Sequence, residues 1–362
     1  MKVSFAHLGN VYTYLEPYML SLGADVIVPP LTSKRTLDIG VRYCPEMICA
    51  PCKLIFGNYV EALERGADTL VMLGGWGFCR LGYAIRGQQE KLRELGFQFE
   101  AVTFNLLDAQ ADLVRVTQFV TKKSVLRALG AVRLLIDAMR SVDSIERKAL
   151  ATRPRERHKG DTDRVLEEAL LRVRECRTNE DLQRIRETFL PRFDLVPQDE
   201  PEDILRVALV GDPFTILDTF FNMDIERKLG ALGVEANRWF WLGDAVDLTF
   251  PVKHWLGLST ASVAHRAASR YLRGDIGGFA YSTVGQTVLL SQTGYDGLIH
   301  MAAFNCTPES VAENILLAHE AHSPVPILYL SFDEHTSSTG LFTRLEAFTD
   351  LLRRRRRIKG RQ

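Results

Sequence analysis

Five of the six cysteines in this chain fall where they could bind metal. Cys44, Cys49 and Cys52 follow one another in the pattern C-x4-C-x2-C, Cys79 comes 27 positions later, and Cys306 lies far along the chain. In a reducing compartment, clustered cysteines more often hold metal or do redox chemistry than form disulfides. The spacing therefore predicts a metal or redox site built from thiolates.

The segments around these five cysteines favour ionised sulfur. All five are predicted to lie in loops at strand ends or at helix beginnings, with Cys49 and Cys52 just before a helix over residues 53–65 and Cys306 just before a helix at 308–319. Backbone N–H groups and the helix dipole stabilise a thiolate at a helix start. Such positions suit an iron ligand.

Cys176 differs from the other five cysteines. It shares one face of a predicted helix with Leu166, Ala169, Leu170 and Val173. Because free cysteine packs as a small hydrophobe, we interpret Cys176 as a core residue.

Spacing alone leaves three interpretations of the first four cysteines open. Cys44, Cys49, Cys52 and Cys79 match the plant-type 2Fe–2S ferredoxin pattern, although that pattern belongs on a compact β-rich loop. Four thiolates could equally bind zinc. The third possibility is a set of buried thiols without metal.

Five acidic and histidine side chains are candidates for proton transfer near such a site: Glu46, His300, Glu309, Glu334 and His335. Glu334 and His335 are the predicted catalytic pair, because they follow a strand end and histidine titrates near neutral pH. The alternative is structural. Glu309 would then only stabilise the N-terminus of its helix, and Glu334 and His335 would make hydrogen bonds within their loop.

The elements that must position these residues alternate between strands and helices. Residues 1–107 contain four apolar strand-like runs separated by helical periods, at 2–8, 24–28, 69–73 and 99–103. Residues 108–196 are helical and densely charged. Residues 197–362 return to alternation, with strands at 205–211, 298–301 and 325–330 and helices at 217–232, 308–319 and 341–354. This pattern predicts an α/β fold of two doubly wound parallel-sheet domains with a helical insert between them.

Composition narrows the function classes. The 362 residues include 45 Lys+Arg, 45 Asp+Glu and 46% hydrophobic residues, which is typical of a globular chain of roughly two domains. The zero net charge gives no support for nucleic-acid binding, and no apolar run reaches the ~18 residues of a membrane span. We expect a cytoplasmic protein. It has no G-x4-G-K-[ST] phosphate loop, so nucleotide hydrolysis by this chain is not expected.

Several longer motifs carry a family resemblance. They are CAPCKLIFGNYVEALERGADT at 49–69, GGWGFCRLGY at 74–83, VGDP at 210–213, NMDIE at 222–226, FNCTPE at 304–309, DEHT at 333–336 and TRLEAF at 343–348. On these segments the chain resembles the acyl-CoA dehydratase activase-related family. It is similar in turn to the iron–sulfur D-components of 2-hydroxyacyl-CoA dehydratases and to double-cubane cluster proteins. The resemblance covers nearly the whole chain except the helical insert.

The resemblance implies a ligand set and a function. Its three cluster thiolates map onto Cys49, Cys79 and Cys306 and imply a 4Fe–4S cluster with one open iron, while Cys44 and Cys52 stand where the family commonly has serine and an apolar residue. It implies low-potential electron transfer, or reductive radical dehydration of an acyl-CoA or other small molecule, driven by a separate or fused ATP-dependent activase of actin-like fold. A non-catalytic electron relay or scaffold is the alternative. The three cysteines are expected to meet near the carboxyl ends of both sheets.

Overall fold

A computed structural model describes residues 1–75, 77–105, 109–121, 125–199, 204–245, 259–321 and 323–359. It contains two four-stranded sheets in which every pairing is parallel. The strands are β1 (Lys2–Phe5), β2 (Asp25–Val26), β3 (Thr69–Gly74), β4 (Glu100–Asn105), β5 (Leu205–Gly211), β6 (Val234–Arg238), β7 (Gly297–Ala303) and β8 (Ile327–Phe332). The first sheet has the order β2-β1-β3-β4 and the second β6-β5-β7-β8, so both place their strands alike. The predicted α/β fold with two parallel sheets is confirmed.

Helices flank both sheets and fill the stretch between them. In the first part they are α1 (Tyr12–Ser21), α2 (Lys34–Tyr43), α3 (Ala50–Glu64) and α4 (Arg80–Glu94), and between the sheets α5 (Ala109–Thr121), α6 (Val125–Thr152), α7 (Asp161–Glu175) and α8 (Asn179–Asp194). The second part contains α9 (Pro213–Leu217), α10 (Ile225–Ala231), α11 (Leu242–Ala245), α12 (Thr260–Ala268), α13 (Ala280–Leu290), α14 (Thr307–Glu320) and α15 (Ser338–Lys359). No described helix is long and apolar enough to cross a bilayer.

The central strands are buried because helices cover both faces of each sheet. All seven residues of β7 are buried, as are six of the seven in β5. Such continuous apolar runs are typical of parallel strands. Helix α3 is also buried along nearly its whole length, so the segment that carries Cys52 is fixed on every side.

The helical stretch joins the two sheets rather than standing apart from them. Its longest helix, α6, packs against α1 of the first sheet's layer and against β6 of the second sheet. At this junction Arg238 on β6 pairs with Glu146 on α6, with both side chains buried. The stretch therefore fixes how the two sheets sit relative to each other.

Two sequence-based predictions of elements need correction. The helix expected over 217–232 is helical mainly at α10, because α9 ends at Leu217 and the turn that follows it contains Met223 and Asp224 with φ values of 57° and 59°. Asp218 stabilises this turn by accepting a hydrogen bond from the Phe221 N–H at 2.8 Å. Strand β6 was not predicted, since its residues alternate between buried and half-buried at the edge of a sheet.

Candidate metal centre

Cys49, Cys79 and Cys306 line one cavity of about 80 Å³. The cavity also contacts residues at the carboxyl ends of the central strands of both sheets, including Gly74 at the end of β3 and Ala303 at the end of β7. In open parallel sheets this edge is where ligands bind. Three cysteines that are distant in sequence therefore meet where the fold favours a ligand, as expected.

The same local structure positions each of the three cysteines. Cys49, Cys79 and Cys306 are the residues immediately before α3, α4 and α14, and all three have extended backbone conformations. The first N–H groups of a helix lack intrahelical partners and carry the positive end of the dipole. Three helix starts thus face the sulfur atoms, which stabilises thiolates bound to a cation.

Burial opposes ionisation of two of these thiols when no metal is present. It raises the pKa of Cys79 to about 11 and that of Cys306 well above the usual range. The nearby Asp212 adds to the effect at Cys306. A metal ion must therefore displace protons from both thiols, as is general for cysteine ligands.

A fourth cysteine, Cys52, lines the same cavity and is fully buried. Its Sγ lies 3.5 Å from the Sγ of Cys49. The hydrogen bond between them lowers the pKa of the Cys49 thiol and raises that of Cys52 well above its usual range. The resemblance treats Cys52 as an extra residue, whereas the structure places it beside a predicted ligand.

Cys44 does not follow the predicted pattern. It was expected at a strand end or helix beginning, but it caps the C-terminus of α2, where the dipole disfavours a thiolate. The error arose because α2, whose N-terminus is capped by Ser33 in a capping box, was not predicted. Burial raises the pKa of Cys44 to about 12.

Cys176 ends helix α7 and is 2% exposed. It packs in the main hydrophobic core. The interpretation of Cys176 as a core residue is confirmed.

Two carboxyl groups reach the cavity. Asp212, the residue before α9, is one of them, and burial raises its pKa to about 6. Glu309 is the other, and its carboxylate accepts a hydrogen bond from Thr283 Oγ1 at 3.0 Å and lies 3.1 Å from His300 Nε2. Asp212 was not a predicted site residue. The sequence did carry a signal for Asp212, because an aspartate followed by a proline at the first helical position is typical of a helix start.

The remaining predicted proton-transfer residues do not line this cavity in the described residues. Glu334 binds the Lys53 ammonium at 2.7 Å instead. His335 is exposed, and its backbone N–H donates a hydrogen bond to Asp333 Oδ1. Glu46 is exposed as well. Glu334 and His335 are therefore structurally engaged in the loop after β8. Their catalytic role stays a prediction.

Two glycine-rich loops close around the cavity. A Cβ added at Gly75 would lie 2.7 Å from Cys79 Sγ, and one added at Gly278 would lie 2.7 Å from Pro308. Between these loops Gly77 pairs with Gly277, and the Phe78 N–H donates to the Ile276 carbonyl oxygen at 3.0 Å. The glycines allow the two sheets' loops to approach each other at the sulfur atoms.

The cavity fits a 4Fe–4S cluster in donor type, because cysteine sulfur is the usual protein ligand of such clusters. Within the described residues no group of three or more His, Cys, Asp or Glu side chains is arranged to hold a metal ion. The cysteine sulfur atoms that bind a cluster lie farther apart than those that bind a single ion, because each thiolate binds a different iron.

A wide open groove of about 830 Å³ lies beside the cavity. Its lining includes Cys44, Ile48 and Arg80, the last two being the chain neighbours of Cys49 and Cys79. Met47 and Tyr83 also line the groove and are 63% and 74% exposed. The groove is therefore open to solvent and adjoins two of the three predicted ligands.

No protein-family model matches the chain, and no curated protein matches it.

Proposed function

We propose that this chain holds a 4Fe–4S cluster on Cys49, Cys79 and Cys306 and belongs to the 2-hydroxyacyl-CoA dehydratase D-component type. The observation that carries this proposal is the convergence of the three cysteines, each at a helix start, on one cavity between two sheets. Cysteine thiolates are the usual protein ligands of such clusters. When bound, the cluster would supply electrons at low potential.

The residues around the cavity would shield and orient the site. Pro51, Phe214 and Phe279 contribute apolar walls that limit access of water. Asp212, whose pKa is raised to about 6 by burial, can exchange a proton near neutral pH. Glu309 is held by Thr283 and His300 and so keeps a fixed orientation beside Cys306.

The groove beside the cavity favours catalysis over simple electron relay. Its volume of about 830 Å³ lies within the range of pockets for ligands of drug size. Arg80 lines it and would attract the phosphates of an acyl-CoA, while Met47 and Ile48 offer an apolar surface to the acyl chain. Lys91 also lines the groove, but it binds Glu94 at 3.0 Å, and Glu90 adds a second carboxylate to the lining. We therefore propose reductive dehydration of an acyl thioester as the activity, with a non-catalytic relay as the alternative.

The proposed partner is the one that the resemblance implies, an ATP-dependent activase of actin-like fold, separate or fused. The missing G-x4-G-K-[ST] phosphate loop agrees with ATP hydrolysis by another protein or domain. We also propose a cytoplasmic location, since a reducing compartment would keep the six free cysteines available for metal.

Anaerobic reconstitution with ferrous iron and sulfide tests the proposal. We expect about four iron and four sulfide per chain, together with visible absorption that dithionite bleaches. About two of each would indicate the ferredoxin-like alternative, and zinc without sulfide would indicate a zinc site. Acyl-CoA added to the reduced, reconstituted protein should change its electron paramagnetic resonance spectrum; an unchanged spectrum would favour the relay.

A further inference from the structure

The start of α3 carries a pair of cysteines, and the proposed cluster uses only one of them. Cys49 and Cys52 form a C-x-x-C motif whose sulfur atoms are 3.5 Å apart. A disulfide bond is about 2.05 Å long, so the two sulfur atoms need to approach by only about 1.5 Å.

The backbone already holds the pair in a suitable arrangement. Cys49 precedes the helix in an extended conformation, and the Cys52 N–H donates to the Cys49 carbonyl oxygen at 3.0 Å. Residues three apart in a helical turn lie on the same side, which brings both sulfur atoms together. A C-x-x-C at a helix start in an α/β fold is the arrangement of thiol–disulfide couples.

The two thiols also differ in access. Both line the cavity, but Cys49 is 8% exposed whereas Cys52 is fully buried. In a dithiol couple the accessible thiol reacts with the external disulfide and the buried thiol resolves the mixed disulfide.

We propose that Cys49 and Cys52 form a reversible intramolecular disulfide, and that this disulfide excludes the cluster from Cys49. The first part stands on the geometry of the pair. The second part rests on the proposed function, because it requires Cys49 to be a cluster ligand.

The oxidant in this reaction is a small-molecule disulfide such as oxidised glutathione. The Cys49 thiolate attacks one glutathione sulfur, forming a mixed disulfide and releasing one glutathione thiolate. Cys52 then loses its proton and attacks Cys49 Sγ, which forms the Cys49–Cys52 bond and releases the second glutathione. The protein loses two electrons and two protons, and one glutathione disulfide becomes two thiols.

The disulfide is tested on iron-free protein equilibrated anaerobically across a series of glutathione redox buffers. After quenching by alkylation, we expect two of the six thiols to be lost and a peptide linked between Cys49 and Cys52. The matched control Cys176→Ser should form the same link, and Cys52→Ser should stop at glutathione bound to Cys49. Retention of all six thiols across the series, or a link to another cysteine, would overturn the proposal.

Reconstitution of the oxidised protein tests the exclusion of the cluster. Iron uptake should fall to the level of Cys49→Ser and return after dithiothreitol treatment, while reduced Cys52→Ser should bind as much iron as the wild type. Equal uptake by oxidised and reduced wild type contradicts the exclusion, and loss of iron from reduced Cys52→Ser would make Cys52 a ligand instead. If reduced wild type binds no iron, the proposed function fails, and thiol mapping alone decides the disulfide.

Discussion

Cys49, Cys79 and Cys306 share one structural role, although they lie in three different segments. Each precedes a helix whose first N–H groups face the cavity, and backbone N–H groups of Leu81 and Gly82 favour the thiolate of Cys79. Equivalent roles imply equivalent consequences when any one of the three is replaced.

We expect Cys49→Ser, Cys79→Ser and Cys306→Ser each to lose most of the iron bound after anaerobic reconstitution. Serine retains the shape of the side chain but binds iron poorly, so folding should survive. Iron and sulfide analysis, with circular dichroism to verify folding, measures the effect.

Cys176→Ser is the matched control, because that side chain packs in the core away from the cavity lining. It should retain nearly all of the iron. A loss as large as that of the other three variants would show that the ligand assignment is wrong.

The family resemblance predicted the three convergent cysteines but not their whole surroundings. Local rules placed five cysteines at strand ends or helix starts and did not separate these three from Cys44 and Cys52. That Asp212 faces Cys306, or that Glu334 binds Lys53, depends on how two sheets meet across hundreds of residues. Local pattern carries no information about such contacts.

At the scale of elements, helix α6 makes the two sheets one unit. Its Glu146 and the Glu226 of α10 both bind the guanidinium of Arg238 on β6, at 2.6 Å and 2.7 Å. All three side chains are largely buried, so the guanidinium neutralises two carboxylates that water cannot reach.

Arg238→Met should lower the free energy of unfolding by about 3 to 5 kcal/mol, because it leaves two buried carboxylates without a cation. Chemical denaturation monitored by circular dichroism measures the change. Arg172→Met removes an arginine from an exposed pair with Glu175 and should cost at most about 0.5 kcal/mol. Similar effects of the two variants would refute the importance of the buried network.

The carboxyl group of Asp143, also on α6, makes the free energy of unfolding depend on pH. Burial, followed by the nearby Glu146, raises its pKa to about 7, whereas an unfolded aspartate ionises near ~4. The unfolded chain therefore loses its proton first. The stability that Asp143 contributes is complete below about pH 4 and is lost as pH rises to about 7.

Asp143→Asn should remove this loss, since asparagine can still accept the Gly243 N–H. Relative to the wild type, the variant should gain on the order of 4 kcal/mol between pH 4 and pH 8. Denaturation at several pH values measures this, with exposed Glu175→Gln as the control. A constant difference between Asp143→Asn and the wild type at all pH values would contradict it.

The apolar central strands could be predicted from sequence, whereas helix α2, strand β6 and the break before α10 could not. Strands β5 and β7 are mostly apolar runs, and helix α14 has a proline in its first turn. The break between α9 and α10 occurs inside an apolar pattern without glycine or proline, because positive φ falls on Met223 and Asp224. Hydrophobic periodicity gives no sign of such a turn.

At the scale of the whole molecule, two sheets with the same strand order face one cavity. An ion pair crosses between them beside this cavity, where Lys53 of α3 binds Glu334 at 2.7 Å and the Glu46 carbonyl oxygen at 2.9 Å. The Lys53 side chain is only 3% exposed, so water cannot replace these partners.

A double-mutant cycle on Lys53→Met and Glu334→Gln should give a coupling energy of roughly 1 to 3 kcal/mol in unfolding. The reason is that each replacement leaves the other member of the pair without its charged partner. Additive effects would mean that Glu334 does not support the interface and would return it to a role in proton transfer alone.

The most direct test of the central claim is a crystal structure of anaerobically reconstituted protein with data collected at the iron absorption edge. We expect anomalous density for one cluster in the cavity, with Cys49, Cys79 and Cys306 each bonded to a different iron at about 2.3 Å. Iron bonded to Cys44 and Cys52 while Cys306 stays free, or iron at any other place in the molecule, would contradict the three-thiolate site and the redox function based on it.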